Sequence, residues 1–291
     1  MRHLLPLLPL SLLLACSGPA PAPEAPEVEE SPAAAPASAS ADAQAVPQKI
    51  DLEAVANEGR TAMFVPAPSE FEAVLAANAA GLDLKSLVPS GTRSLAGLSK
   101  PLLALETGTR ITAVLLTADA GDRPGLVARL GAAREGLVAL AAGDAVLQEI
   151  DAFTADVQGG TLESRELTPA LDVLSERIHD ALHENTDRNT ATLVQAGGWV
   201  QGAHLLARAL GRGELTPDAA ALFHQASLVH HFELFLKASD PARAGDPRLN
   251  TVIERMGELR WLAGQEALTQ EQVRDIQRLT GEIIAAFRQA P

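Results

Sequence analysis

The chain has 291 residues, with 23 Lys+Arg against 37 Asp+Glu and a formal net charge of −14 at pH 7. So large an acidic excess argues against nucleic acid and anionic lipid headgroups as partners, because both repel it. Tyrosine is absent and tryptophan occurs only twice, too little for an aromatic sugar-binding platform, and a single cysteine leaves nothing to form an internal disulfide or a Cys-based metal site.

Residues 1–15, MRHLLPLLPLSLLLA, pair a basic Arg2 with an apolar run from Leu4 to Leu14. That run has the length of a secretory h-region and is too short to span a bilayer as a permanent helix. It ends Leu13-Leu14-Ala15-Cys16, which resembles a bacterial lipobox. The resemblance implies cleavage before Cys16 and acylation of its sulfur and new amino group. One acyl chain is a marginal anchor and two or more hold firmly, at about 0.8 kcal/mol per buried methylene. The serine at position 17 implies, by the same resemblance, sorting to the outer membrane. Loss of Arg2 leaves 22 basic against 37 acidic residues.

From Cys16 to Gln48 proline and alanine dominate, with Glu24, Glu27, Glu29, Glu30 and Asp42 and no base before Lys49. Nothing there repays the entropy of ordering, so residues 16–48 read as a lipidated cysteine and a semi-extended linker of roughly 30 Å as a coil. Residues 49–291 read as one folded domain, large enough for a sizeable core.

Within that domain the pattern is helical throughout. Asp51–Gly59 is a short first helix. Phe64-Val65-Pro66-Ala67-Pro68 is an extended connector, and Ser69 to Glu72 is a capping box opening a helix that Gly81 ends. Leu82–Val88 adds a turn or two. Ser99-Lys100-Pro101 opens a helix to about Ala118, apolar around most of its circumference and carrying Glu106 and Arg110 at i,i+4. Pro124–Ala142 and Ala145–Val157 follow, parted by Gly143 and ended by Gly159-Gly160. Thr168-Pro169 starts a helix to about Glu184.

The stretch Asn185–Leu210, NTDRNTATLVQAGGWVQGAHLLARAL, has N-cap candidates in Thr186 and Asp187 and helical spacing of Leu193, Val194, Val200, Ala203, Leu206 and Leu210. Gly197, Gly198 and Gly202 each cost about 1 kcal/mol relative to alanine, tolerable where another backbone comes close. Gly198 and Gly202 share a face, which predicts a tight crossing beside Trp199. Thr216-Pro217 opens a helix running through Phe223, Phe232 and Phe235; Asp246-Pro247 opens another that Gly264 ends. Thr269 to Gln272 is a second capping box, opening a final helix to about Gln289.

The expected fold is therefore all-α: a single bundle of about ten antiparallel helices, with an irregular α-solenoid as the alternative. Phe64–Glu72, FVPAPSEFE, and Glu184–Gly202, ENTDRNTATLVQAGGWVQG, resemble segments of helical bacterial lipoproteins without an assigned activity. The resemblance implies a helical exported lipoprotein and no catalytic residue.

Six of the seven histidines lie between His179 and His231. His179 and His183, four apart, can share a helix face, with a third metal ligand to come from Glu184, His204 or His224. The stretch is HDALHEN, so the metalloprotease spacing is missing. Glu106, Arg110, Asp119, Asp187, Arg188 and Asn189 are the candidates for an ion-pair network between two helices, and Arg110, Asp119, Arg188 and Trp199 for contacts to a small ligand. No GxSxG elbow, P-loop or GxGxxG is present, and no cofactor is implied. The expected function is a non-enzymatic lipoprotein, held through Cys16 at the cell envelope on the periplasmic face of the outer membrane. Its helical domain would present a surface to an envelope protein; the alternative is a small ligand or metal bound in the His179–His231 region.

Overall fold

A computed structural model describes residues 87–88, 93–119, 122–211, 215, 220, 223–239 and 246–289. The helices expected over 51–59 and 69–81, Cys16 and the linker lie outside the described residues. Those described are all-α, in eight helices: α1 (Lys100–Asp119), α2 (Arg123–Ala139), α3 (Asp144–Gly159), α4 (Ser164–Asn185), α5 (Arg188–Leu210), α6 (Ala226–Ala238), α7 (Pro247–Ala263) and α8 (Gln270–Arg288).

Most boundaries follow from local chemistry. Asp122 accepts from the Gly125 amide and Pro124 sits in the first turn of α2. Gly143 (φ +99°) precedes α3 and Gly160 (φ +70°) closes it in the left-handed region, where a side chain is strained. Asp246 caps α7 through the Arg248 amide. Thr269 and Gln272 form the expected capping box of α8.

Two starts differ from expectation. The fourth helix begins at Ser164, because Glu163 and Glu166 cap each other's backbone amides, and Pro169 lies inside the first turns. The helix expected from Thr216 through Phe235 is interrupted: Phe223 is in a turn, and α6 starts only after Gln225. Phe223 is still fully buried beside Phe232 and Phe235 in the core.

α1 and α5 are the central pair. Leu102, Ala104, Leu105, Glu106, Thr107, Thr109 and Arg110 are all buried on α1, and α5 is buried along nearly its whole length, as for helices covered on every side. α1 packs on α5 and α2, and α3 on α2 and α4; α5 also packs on α8 and α6, and α7 fills in between α6 and α8. The outer helix α8 instead carries one apolar stripe, Val273, Ile276, Leu279, Ile283, Ile284 and Phe287, turned to the core. Contact between α1 and both α5 and α8 closes the arrangement as a bundle, whereas a solenoid joins only neighbouring repeats.

The α1–α5 seam is set by glycine. A Cβ on Gly108 would stand 1.9 Å from the Val194 carbonyl oxygen, and one on Gly197 would stand 2.0 Å from that of Leu105. The contact is reciprocal, with a Cα hydrogen aimed at a carbonyl of the other helix in each case, a geometry worth about 0.5–1 kcal/mol. Thr112 Oγ1 extends the seam by donating to the Gly198 carbonyl at 3.3 Å. The expected crossing is present, and on α5 it falls at Gly197 and its neighbour Gly198, because the fit is built with Gly108 on the opposing helix.

Gly108→Ala or Gly197→Ala is expected to destabilise the domain by about 3 kcal/mol or more, since rigid backbone must move. Gly131→Ala, in mid-helix with nothing within 4 Å of its Cβ, should stabilise it by about 0.5–1 kcal/mol. Urea denaturation of the three variants measures both effects.

Candidate functional site

Arg110 and Glu106 are one helical turn apart on the buried part of α1, 6% and 4% exposed. Arg110 Nε donates to Glu106 Oε1 at 3.2 Å, and Nη1 donates to the Ala132 carbonyl at 3.0 Å and to Glu135 Oε2 at 2.8 Å on α2. Its Nη2 donates to the Arg93 carbonyl. The second carboxylate oxygen of Glu106 accepts from Arg288 Nε at 3.0 Å and Thr109 Oγ1 at 3.3 Å, and Arg288 Nη2 donates to Thr109 Oγ1 at 3.2 Å. Two guanidinium groups thus hold one buried carboxylate, with the Thr109 hydroxyl as a third donor.

The same corner fastens the segment before α1 to the end of α8. Arg93 Nη1 donates to the Arg288 carbonyl at 3.0 Å, an acceptor left open by the helix end. Arg248, paired with Asp246, donates to the Gln289 carbonyl at 3.2 Å and the Gly97 carbonyl at 3.3 Å. Beside the network opens a cleft of about 240 Å3 lined by Arg93, Ser94, Ala96, Leu98, Glu106, Phe287, Arg288 and Gln289.

The expected network is real in part. Glu106 and Arg110 belong to it, but its other members are Glu135, Arg288 and Arg93, drawn from α2, α8 and the segment before α1. Asp187 is elsewhere: it caps α5, accepting from the Thr190 amide at 2.8 Å, and pairs with Lys100 at 2.5 Å on the exposed surface. Burial opposes its charge, but the Lys100 and Thr190 donors outweigh that and hold its carboxyl below the usual range. Arg188 is exposed at the start of α5 and Asn189 is half-buried beside it, so neither reaches the network; the side chain of Asp119 lies outside the described residues. Trp199 is a core residue, its Nε1 donating to Gln225 Oε1 at 2.7 Å and its ring tilted 6.4 Å from Phe232. The other tryptophan, Trp261 on α7, is 63% exposed.

The histidines separate. His179 and His183 share an exposed face of α4 with ring centroids 4.4 Å apart, and His179 Nδ1 lies 3.1 Å from Gln195 Nε2. Partial burial, then the neighbouring His179 and Arg188, push the His183 pKa down. His204 faces α8 instead, with Nδ1 3.1 Å from both the Gln277 carbonyl and Thr280 Oγ1. His224 is exposed before α6. Among the described residues no three of His, Cys, Asp and Glu come together as metal ligands, because helix position, not sequence proximity, decides which histidines meet.

A second buried carboxylate, Glu233 on α6, pairs with Lys237 and lies 3.2 Å from Arg260 on α7. Burial opposes its charge, yet Lys237, Arg260 and His230 keep its pKa low. A smaller void, about 10 Å3 among Leu130, Ile150, Leu171 and their neighbours, is apolar and no larger than one water, which is packing slack rather than a site.

No family model matches the chain. No curated protein and no solved structure matches it either.

What the sequence did not reveal was Arg288, though a signal existed: it follows Thr280 and Ile284 at i+8 and i+4, on the buried stripe of α8. Arg93 carries no such periodic mark.

Glu106→Gln should cost about 3–5 kcal/mol, since two guanidinium groups lose their buried counter-ion. Glu135→Gln, at a carboxylate 57% exposed, should cost under about 1 kcal/mol; paired denaturation curves test the contrast. His204 yields a pH effect. Burial, with Arg208 and Arg288 adding to it against the opposing Gln277 hydrogen bond, lowers its pKa from the ordinary 6.5. The unfolded chain therefore takes up this proton first as pH falls, so stability drops below about pH 6.5 until the folded value is passed. His204→Gln should reduce the slope of that part of the stability–pH curve, leaving the share that His183 contributes there, and leave the loss at lower pH, where Asp187, Glu233 and Asp246 protonate, unchanged.

Proposed function

We propose that this chain is a lipid-anchored cell-envelope protein whose helical domain is a binding module rather than a catalyst. The observation that carries the anchor is Leu13-Leu14-Ala15-Cys16, followed by an acidic proline- and alanine-rich stretch. In this reading Cys16 carries the acyl chains, residues 17–48 set the domain off from the outer membrane, and the domain faces the periplasm. Among the described residues no helix is long and apolar enough to cross a membrane.

Two features support a binding role. Trp261 presents a large apolar side chain to solvent between Arg260 and the Gln265 turn, and exposed Trp and Arg are the residue types that anchor protein interfaces. The envelope partner it suits is a protein with an apolar pocket. A small-ligand reading is favoured by the charged cleft at the α1–α8 corner. Metal binding by the His179–His183 pair has no third ligand among the described residues in its favour.

Expressed in a bacterial host, the full chain should fractionate with membranes and give an N-terminal Cys16 peptide heavier by its acyl chains in mass spectrometry. Cys16→Ser should move it to the soluble fraction. An unmodified amino end, or a soluble wild-type chain, would contradict the anchor.

A further inference from the structure

The cleft at the α1–α8 corner has a charge opposite to that of the protein around it. Arg93, Arg110, Arg248 and Arg288 are drawn together there, against Glu106, Glu135 and Asp246. Among the described residues, four cations and three anions leave one positive charge there, in a chain whose net charge is −14. Such a surplus, partly shielded from water, is where an anion is held most strongly.

The donors available differ in kind. Glu106, 4% exposed, is on the cleft wall but its carboxylate is already occupied by Arg110, Thr109 and Arg288. It therefore fixes the Arg288 guanidinium rather than receiving a ligand. Arg288 spends Nε and Nη2 on Glu106 and Thr109, and its side chain is 22% exposed, which leaves one edge of the guanidinium toward the cleft. Arg93, exposed, is held in place by its bond to the Arg288 carbonyl. Leu98 and Ala96 add apolar wall, and Ser94 and Gln289 add polar rim, while Phe287 is fully buried. The space of about 240 Å3 is below the usual size for drug-like ligands and suits a compact molecule.

We propose that this cleft binds a small organic monocarboxylate, its carboxylate between Arg93 and Arg288 and its apolar body against Leu98 and Ala96. One charge matches the surplus of one, and the apolar wall selects an organic acid over a bare inorganic ion. Arg93 and Arg288 contact the ligand, whereas Glu106 and Thr109 act as positioning residues that orient Arg288.

Calorimetric titration of the purified full chain with benzoate and butyrate tests this, with benzamide, butyramide and inorganic phosphate as controls. The carboxylates should bind with millimolar or tighter affinity and the amides at least about tenfold more weakly. Arg93→Met should weaken benzoate about tenfold with an unchanged circular dichroism spectrum, because this arginine is exposed. Arg288→Lys, which keeps the charge but not the fork, should weaken it by a smaller factor. No carboxylate binding up to about 10 mM, or benzoate binding that survives both substitutions unchanged, would overturn the proposal. So would phosphate binding as tightly as benzoate, which would make the cleft a general anion trap.

Discussion

The structure depends on how closely α1 and α5 approach. With Gly108 against Val194 and Gly197 against Leu105, the two backbones touch where side chains would normally keep them apart. Among the described helices, α2, α4, α6 and α8 pack on one or both members of this pair. A helix rich in glycine is poor by propensity, so α5 is held as a helix mainly by what covers it. That cover is nearly complete, from Thr190 to Leu210.

A buried polar centre accompanies this seam. Glu106 and Arg110 lie on α1 amid the residues that meet α5 and α2, and through Arg288 they tie α1 to α8. Charge inside a core is costly unless every group is matched. Here the match draws on four separate elements, so the network forms only when the bundle is correctly assembled. It acts as a register device more than as a source of net stability. The same demand for counter-charge leaves one guanidinium edge and one extra cation beside a cleft, which is how a structural arrangement comes to offer a binding site.

Much of the fold was legible because helices announce themselves locally. Pro124, Gly143, Gly160, Asp246 and the Thr269–Gln272 pair mark boundaries through their own backbone and capping chemistry. Where two local signals competed, the reading failed: Pro169 resembles a helix start, yet the Glu163–Glu166 box, which ends three residues before it, wins because it satisfies two amides. Long-range features were less visible. Gly198 and Gly202 share a face in any helix, but only the partner helix, through Gly108, selects Gly197 with Gly198. Glu106 with Arg110 could be paired from spacing, whereas Glu135 and Arg93 join them from elements whose placement no local pattern encodes. The histidines show the same limit, since nearness in sequence put His179, His183 and His204 together, whereas the fold keeps the first two on one face of α4 and turns His204 toward α8.

Native-state hydrogen exchange measures most directly whether the α1–α5 pair is the organising centre. If it is, amides around Leu105–Thr112 on α1 and Val194–Val200 on α5 exchange last, and only through global unfolding. If amides of α3 or α7 outlast them, the bundle is built around something else.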